Sequence, residues 1–401
     1  MRPRSPVVVT ALLAALTAVP PVTINLYLPS LPSMVADLGT TVAMVQLTVT
    51  SFFFAFAAGQ LLYGPLSDRF GRRPLLVGAL VVYLVGGIGC SLAPTVELLV
   101  AARLVQAIGA CGAPVLARAV VVDLYGREHA ARVLAYIGAA MGIVPAFGPW
   151  LGGIIETHLG WRASFWLMVV LSVLLLVGTL LLLHESNRRS DRYALGPARM
   201  LRNYGDLLRQ RVFVGYAATL GCMFAGVYSY MTASPHVFLG VLNLSPETFG
   251  SFFLATAAAW TVSSYVTGRI TQRVGIDRML AYGTALGAAA GLTLAGFIFC
   301  GIVSVPTILG PMMVYAYAMG IIIHNSMAGA VGPYREMAGA ASALLGFVQM
   351  TTAACATFVV GLFYDGTAMP MAIGVGGLSL AGAVIFRLTI WRHRDRAGEA
   401  E

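Results

Sequence analysis

Arg103 and Gln106 stand three residues apart in the apolar run Leu99-Val-Ala-Ala-Arg-Leu-Val-Gln-Ala-Ile-Gly109. On a helix that spacing places both on one face. An arginine in hydrocarbon costs on the order of 3 kcal/mol unless its face meets a polar interior, so the pair is expected to face a cavity. Other polar groups inside apolar runs have the same character: Asn25, Gln46, Gln60, the neighbours His324 and Asn325, and Gln349. Phe224, Tyr228 and Met231 fall at i, i+4 and i+7 of one helical face, with Tyr230 beside them. A mostly apolar cavity with a few convergent polar groups is what such residues build. Any single aromatic here packs against lipid or a neighbouring helix as readily as against a ligand.

Proton chemistry needs a titratable group, and the carboxylates are poorly placed for it. Asp37, Glu97, Glu156, Glu247 and Asp365 fall at one set of ends of the apolar runs, the other eleven acids fall at the opposite set, and none lies midway. Asp123, near Arg118, is the best remaining candidate. Its structural alternative is a cap or a pair with Arg127, which at a loop edge is common and weak. His324 can titrate near neutrality or serve as a neutral packing residue. No Ser/His/Asp set, metal cluster or phosphate loop occurs at useful spacing. Cys90, Cys111, Cys222, Cys300 and Cys355 show no paired spacing and read as small packing residues. An intramembrane enzyme is therefore disfavoured, and no cofactor or metal is expected.

The elements that position these residues follow from composition. The chain has 401 residues, 58% of them hydrophobic and only 10% charged, where a soluble domain is nearer a quarter charged. Apolar stretches of about the 20 residues that cross hydrocarbon recur near 7–30, 44–64, 75–93, 97–118, 130–155, 162–183, 212–237, 247–270, 278–300, 305–327, 338–362 and 369–391. They are continuously apolar, unlike alternating barrel strands. The first runs on through Pro20, Pro21 and Asn25 without a cleavage pattern and is read as a span. There is no lysine; 23 of the 25 arginines fall on one side of this map, leaving Arg162 opposite and Arg103 within a span. That asymmetry places both termini in the cytoplasm. It makes the net charge of +9 a topology signal rather than a nucleic-acid surface. The fold class expected is an all-α membrane protein: a six-helix bundle over 1–183, a polar linker at 184–211, a second bundle over 212–391 and a tail at 392–401. Gly64-Pro-Leu-Ser-Asp-Arg-Phe-Gly-Arg-Arg73 and Gly268-Arg-Ile-Thr-Gln-Arg-Val-Gly-Ile-Asp277 match at an offset of 204, which marks an internal duplication.

Gly64, Asp68, Arg69, Gly71, Arg72 and Arg73 complete a pattern that resembles the cytoplasmic signature of the major facilitator superfamily. A tight turn is expected there, with the Asp68 carboxylate free to pair across a gate or to meet a helix N-terminus. The Arg103/Gln106 segment resembles the superfamily's helix-four motif, with the glycine delayed to Gly109, and the resemblance implies a role for the pair in proton coupling or substrate orientation. Gly138, Gly142, Pro145, Gly148, Pro149, Gly152 and Gly153 are similar to its antiporter motif; Gly138/Gly142 and Gly148/Gly152 each form a small-xxx-small face that lets helices approach closely. Tyr27-Leu-Pro29-Ser-Leu-Pro32, Ser234-Pro235, Ser245-Pro246-Glu247 and Gly332-Pro-Tyr-Arg-Glu336 resemble the Bcr/CflA group of bacterial drug exporters, over essentially the whole chain. The resemblance implies proton-linked export of small organic compounds across the inner membrane, by a monomer whose partners are its substrate, protons and the bilayer, with no nucleic acid. The chain departs from the group at Asn25, where an aspartate is usual and which cannot titrate. That departure favours the alternative of a uniporter or importer of a small metabolite such as a nucleoside.

Overall fold

A computed structural model describes residues 6–141, 144–186, 197–334 and 337–391. Every regular element among them is helical. The chain runs through α1 (Pro6–Asn25), a single 3₁₀ turn (Leu28–Ser30), α2 (Leu31–Asp37), α3 (Val42–Phe70), α4 (Arg72–Leu92), α5 (Val96–Met141), α6 (Val144–Leu159) and α7 (Trp161–Leu182). It continues through α8 (Pro197–Arg209), α9 (Arg211–Pro235), α10 (Pro246–Val274), α11 (Ile276–Phe299), α12 (Val305–Val331), α13 (Ala338–Leu362) and α14 (Met369–Phe386); π-helical segments extend α9 over His236–Val241 and α14 over Arg387–Trp391. In hydrocarbon only a helix or a closed barrel satisfies its own backbone, and these apolar sequences take the helical solution.

Ten segments of the described chain are long and apolar enough to cross a membrane. The expected spans at 130–155 and 247–270 are not among them. The first is divided between the end of α5 and the 16-residue α6, with residues 142 and 143 outside the described chain. The second is a 29-residue helix, α10, whose hydropathy is diluted by Thr256, Thr261, Ser263, Ser264, Tyr265 and Thr267.

Three local expectations are corrected. No loop separates 118 from 130: α5 runs unbroken from Val96 to Met141, because 119–141 is polar in places yet free of proline and rich in alanine, leucine and arginine, all good helix formers. Nor is 64–73 a tight turn throughout. α3 continues through Pro65 to Phe70, and the chain reverses at Gly71 alone, with φ 95°. The segment 184–211 is also not plain linker, since α8 occupies Pro197–Arg209.

The chain divides into two compact units, Met1–Pro197 with Ser245–Gly250, and Ala198–Leu244 with Ser251–Glu401. Within the first, α5 packs on α4, α3 and α1, and α4 on α7. The crossing of α4 and α5 brings backbones together: a Cβ on Gly109 would lie 2.2 Å from the Tyr83 nitrogen. In the second, α9 packs on α13, α14 and α12, while α11 packs on α12 and α14. The duplication is visible in the elements. Val42–Phe70 and Pro246–Val274 are both 29 residues long and shifted by 204 at each end, and the glycine that follows each, Gly71 or Gly275, has a left-handed φ of 95° or 90°.

Alanine at either glycine must adopt that φ, at about 1–3 kcal/mol. At Gly71 the new Cβ would also lie 2.6 Å from Oε2 of Glu185, whereas at Gly275 it meets nothing within 4 Å. Thermal unfolding in detergent is therefore expected to show both Gly71→Ala and Gly275→Ala lowering Tm, Gly71→Ala by more. Equal losses would remove the steric part of this account.

Candidate functional site

The first unit holds a buried cation. Arg103 on α5 is fully buried, and its guanidinium is solvated by protein alone. Nη1 donates to Oε1 of Gln106 at 2.7 Å and to the Thr23 carbonyl at 3.4 Å; Nε donates to the Thr48 carbonyl at 3.3 Å, and Nη2 to the Tyr27 hydroxyl at 3.3 Å. The ring of Phe52 lies 4.3 Å from the guanidinium carbon, that of Tyr27 4.5 Å and that of Phe165 5.8 Å. Thr23 sits in the last turn of α1, where carbonyls lack partners within their own helix, whereas the Thr48 carbonyl lies inside α3 and accepts from Arg103 as well. No carboxylate joins this cage among the described residues. Carbonyl dipoles and ring faces do the work of a counter-ion. Arg103 and Gln106 do share a face, but it meets packed side chains, not an open cavity. Gln106 is buried too, with Nε2 3.7 Å from the sulfur of Met168.

Beside the cage, Asn25 ends α1. Its amide donates to the Pro21 carbonyl at 2.7 Å, while its Oδ1 is buried without a hydrogen-bond partner among the described residues. α6 lies against it. A Cβ on Gly148 would stand 2.9 Å from Cβ of Asn25, and one on Gly152 would stand 1.9 Å from the Leu26 carbonyl oxygen. The Gly148/Gly152 face therefore admits the backbone of residues 25 and 26, as a small-xxx-small face does. Gly153 approaches the Pro246 carbonyl in the same way, and Pro149 is buried. Gly142 lies outside the described residues, and Gly138 and Pro145 are described by their helical backbone alone. On α3, Gln46 is buried and Gln60 half-buried.

The arginine-rich segment after α3 forms a polar knot. The Glu185 carboxylate, just past α7, accepts from the backbone nitrogens of Arg72 at 3.0 Å and Arg73 at 3.1 Å, and so caps α4. Arg72 reaches Asp123 at 3.2 Å and also bonds the Ser67 hydroxyl; Ser186 donates to the same Asp123 oxygen at 3.0 Å. Arg73 donates to the Leu180 carbonyl at 3.0 Å, and Arg69 lies over the ring of Phe70. The carboxylate at the helix N-terminus is thus Glu185; Asp68 lies in the last turn of α3, and its side chain is outside the described set. Asp123 pairs with Arg72, with the side chain of Arg127 outside the described set. Glu185 was not singled out from the sequence, although it is the first acid after a long apolar run.

In the second unit Phe224, Tyr228, Tyr230 and Met231 on α9 are all buried, with the rings of Phe224 and Tyr228 4.9 Å apart. Tyr230 packs on Phe253, and its hydroxyl has no partner among the described residues. Asn325 is buried, donating to the Ile321 carbonyl and accepting from Thr271. His324, its neighbour, is exposed, with Nδ1 2.7 Å from the Gly320 carbonyl of its own helix. Gln349 on α13 is half-buried. The sequence reading passed over His236, the first residue of the π-helical extension: it is buried against Tyr364, and its Nε2 has no partner among the described residues. The only signal for it was a histidine directly after Ser234-Pro235 at the end of an apolar run.

Two helical units with ten segments long and apolar enough to cross a bilayer are the build of a multi-pass membrane protein, and its family makes it a transporter rather than an enzyme. The sequence pattern of the Major Facilitator Superfamily matches residues 13–357, and the chain belongs to that family. The bicyclomycin resistance protein homolog of Haemophilus influenzae is 27% identical over 96% of this chain and 97% of its own. A chloramphenicol resistance protein of Pseudomonas aeruginosa is 29% identical over 94% and 89%. The xylose transporter XylE of E. coli, in a partially occluded inward-open conformation, shares the fold with TM-score 0.74 at 14% identity, over 96% of this chain and 97% of its own.

Because no buried acid is left uncompensated when the guanidinium goes, Arg103→Met is expected to cost only about 1–3 kcal/mol, the penalty of orphaned acceptors. That is less than removing one partner of a buried ion pair. Thermal unfolding that shows Arg103→Met no longer folding would identify the arginine as a structural keystone instead.

Proposed function

We propose that this chain is a secondary active exporter of small organic compounds, drugs or metabolites, working across the bacterial inner membrane by alternating access in exchange for protons. In this reading twelve spans form two six-helix bundles, 1–183 and 212–391, joined by the cytoplasmic segment 184–211. Both termini, including the tail at 392–401, are cytoplasmic, and the chain acts as a monomer. Alternating access arises when one repeat rocks against the other around a site near the midplane.

The observation that carries the export reading is the close seat of Gly148 and Gly152 on the Asn25–Leu26 backbone. It gives the glycines of the antiporter-like motif a physical task beside the end of α1, the same segment whose Thr23 carbonyl and Tyr27 hydroxyl hold Arg103. A shift of α1 is therefore felt at the buried cation. The drug-resistance names of relatives that match most of the chain support antibiotic-like substrates. Tyr228, Met231, Tyr230 and His236 would offer such molecules aromatic surface and two hydrogen-bonding atoms.

Proton coupling cannot run through residue 25. Asp123 is the acid whose protonation would have a mechanical consequence, because it releases Arg72. A second reading, facilitated transport or import of a small metabolite without protons, is favoured by Asn25 itself.

Everted vesicles loaded against a chemically mixed panel separate the two. Export predicts accumulation that depends on an imposed pH gradient, collapses with a protonophore and falls at least tenfold, about 1.4 kcal/mol in barrier, in Arg103→Ala. Asn25→Asp places a titratable carboxyl beside the Arg103 cage and is expected to steepen the dependence on the gradient. Transport indifferent to the protonophore in both proteins would favour the second reading.

A further inference from the structure

A cavity of about 470 Å³ in the second unit lies between α11 and α14, at the ends that carry Arg278 and Arg387. Arg278 and Tyr282 line one wall, Arg387 and Trp391 the other. Both arginines are exposed, and neither pairs with a carboxylate among the described residues; the Arg387 guanidinium lies 5.3 Å from the Trp391 ring centre. A second cavity of about 400 Å³ flanks the same π-helical turn and brings Arg209 and Arg211 beside Leu388. Three more arginines, Arg392, Arg394 and Arg396, follow in the sequence. From this end an exposed apolar stripe runs down α14 through Leu388, Val384, Leu380 and Ile373.

We propose that the groove between α11 and α14 binds the headgroup of an anionic phospholipid, with its acyl chains along the α14 stripe. The charge pattern selects the occupant. Two cations without acidic partners in one groove match a phosphodiester that carries net negative charge, and a zwitterionic headgroup brings its own ammonium into the same space. Tryptophan and tyrosine at the mouth fit the level where their amphipathic rings meet headgroups, and basic pockets between spans on this side are where acidic headgroups dock. The apolar stripe distinguishes a lipid from a free phosphate, which has nothing to lay on it. The inference requires only that the chain crosses a bilayer and stands whatever solute it carries.

Native mass spectrometry of the full chain in mild detergent, with added phosphatidylglycerol or phosphatidylcholine of matched chains, tests it. The parent is expected to retain phosphatidylglycerol at least about tenfold more tightly. Arg278→Gln with Arg387→Gln, checked for folding by thermal unfolding, should bring the two lipids within about twofold, while Arg278→Lys with Arg387→Lys should keep the preference. Quenching of tryptophan fluorescence by brominated phosphatidylglycerol should fall in Trp391→Phe. Equal retention of both lipids by the parent, an undiminished preference in the glutamine variant, or unchanged quenching in Trp391→Phe would each overturn the proposal. So would displacement of the lipid by millimolar inorganic phosphate, which would make the groove a site for a free anion.

Discussion

Hydrocarbon offers no hydrogen bonds, and from that one constraint most of this molecule follows. Each span must satisfy its own amides, so every regular element of the described chain is helical. Backbone groups that lack a partner within their own helix lie at the helix ends. Those places are where the functional groups collect: the Thr23 carbonyl at the end of α1 receives Arg103, and the free amides at the start of α4 receive Glu185. Helix ends are the polar solvent of an otherwise apolar interior.

Arg103 shows how far that substitution reaches. A guanidinium has five donors in a fixed plane, and four of its contacts go to two carbonyls, an amide oxygen and a phenol, while aromatic faces close around the carbon. A lysine ammonium could not serve α1, α3 and α5 together, because its three donors radiate from one point. The cage joins three helices through one side chain, and no carboxylate among the described residues takes part in it.

Much of this was legible in the sequence, for identifiable reasons. The apolar runs declared the helices, and the repeat at an offset of 204 declared the paired α3–α4 and α10–α11 turns. Arg103 and Gln106 were visible because a cation inside an apolar run has to be explained. Their cage was not, since Tyr27, Phe52 and Phe165 lie on other elements and look like ordinary apolar residues until the fold assembles them. The continuity of α5 was hidden because polarity was read as a loop, although polarity says where a helix leaves lipid and not where it stops. His324 and Asn325 were taken together, yet adjacent helical residues diverge by about 100°, and only Asn325 turns inward.

The repeated glycine turn shows how duplicated backbone can acquire different chemistry. α11 carries Asp277 in its first turn, where the carboxylate suits the positive end of the helix dipole and also accepts from the Tyr216 hydroxyl. The equivalent position on α4 is Arg73, next to Arg72, and two cations in a first turn oppose the dipole. In the second unit the stabilising carboxylate belongs to the helix itself. In the first it is borrowed from Glu185, beyond α7 and more than a hundred residues away in sequence. With those amides capped by Glu185, the Arg72 side chain turns to Asp123 on α5. A local cap holds one helix, whereas a borrowed one ties the start of α4 to the end of α7 and, through Arg72, to α5. The first unit's turn thus joins α4 to α7 and α5, whereas the second unit's is tied to α9 through Tyr216, and a change in charge at Glu185 or Asp123 acts on several helices at once.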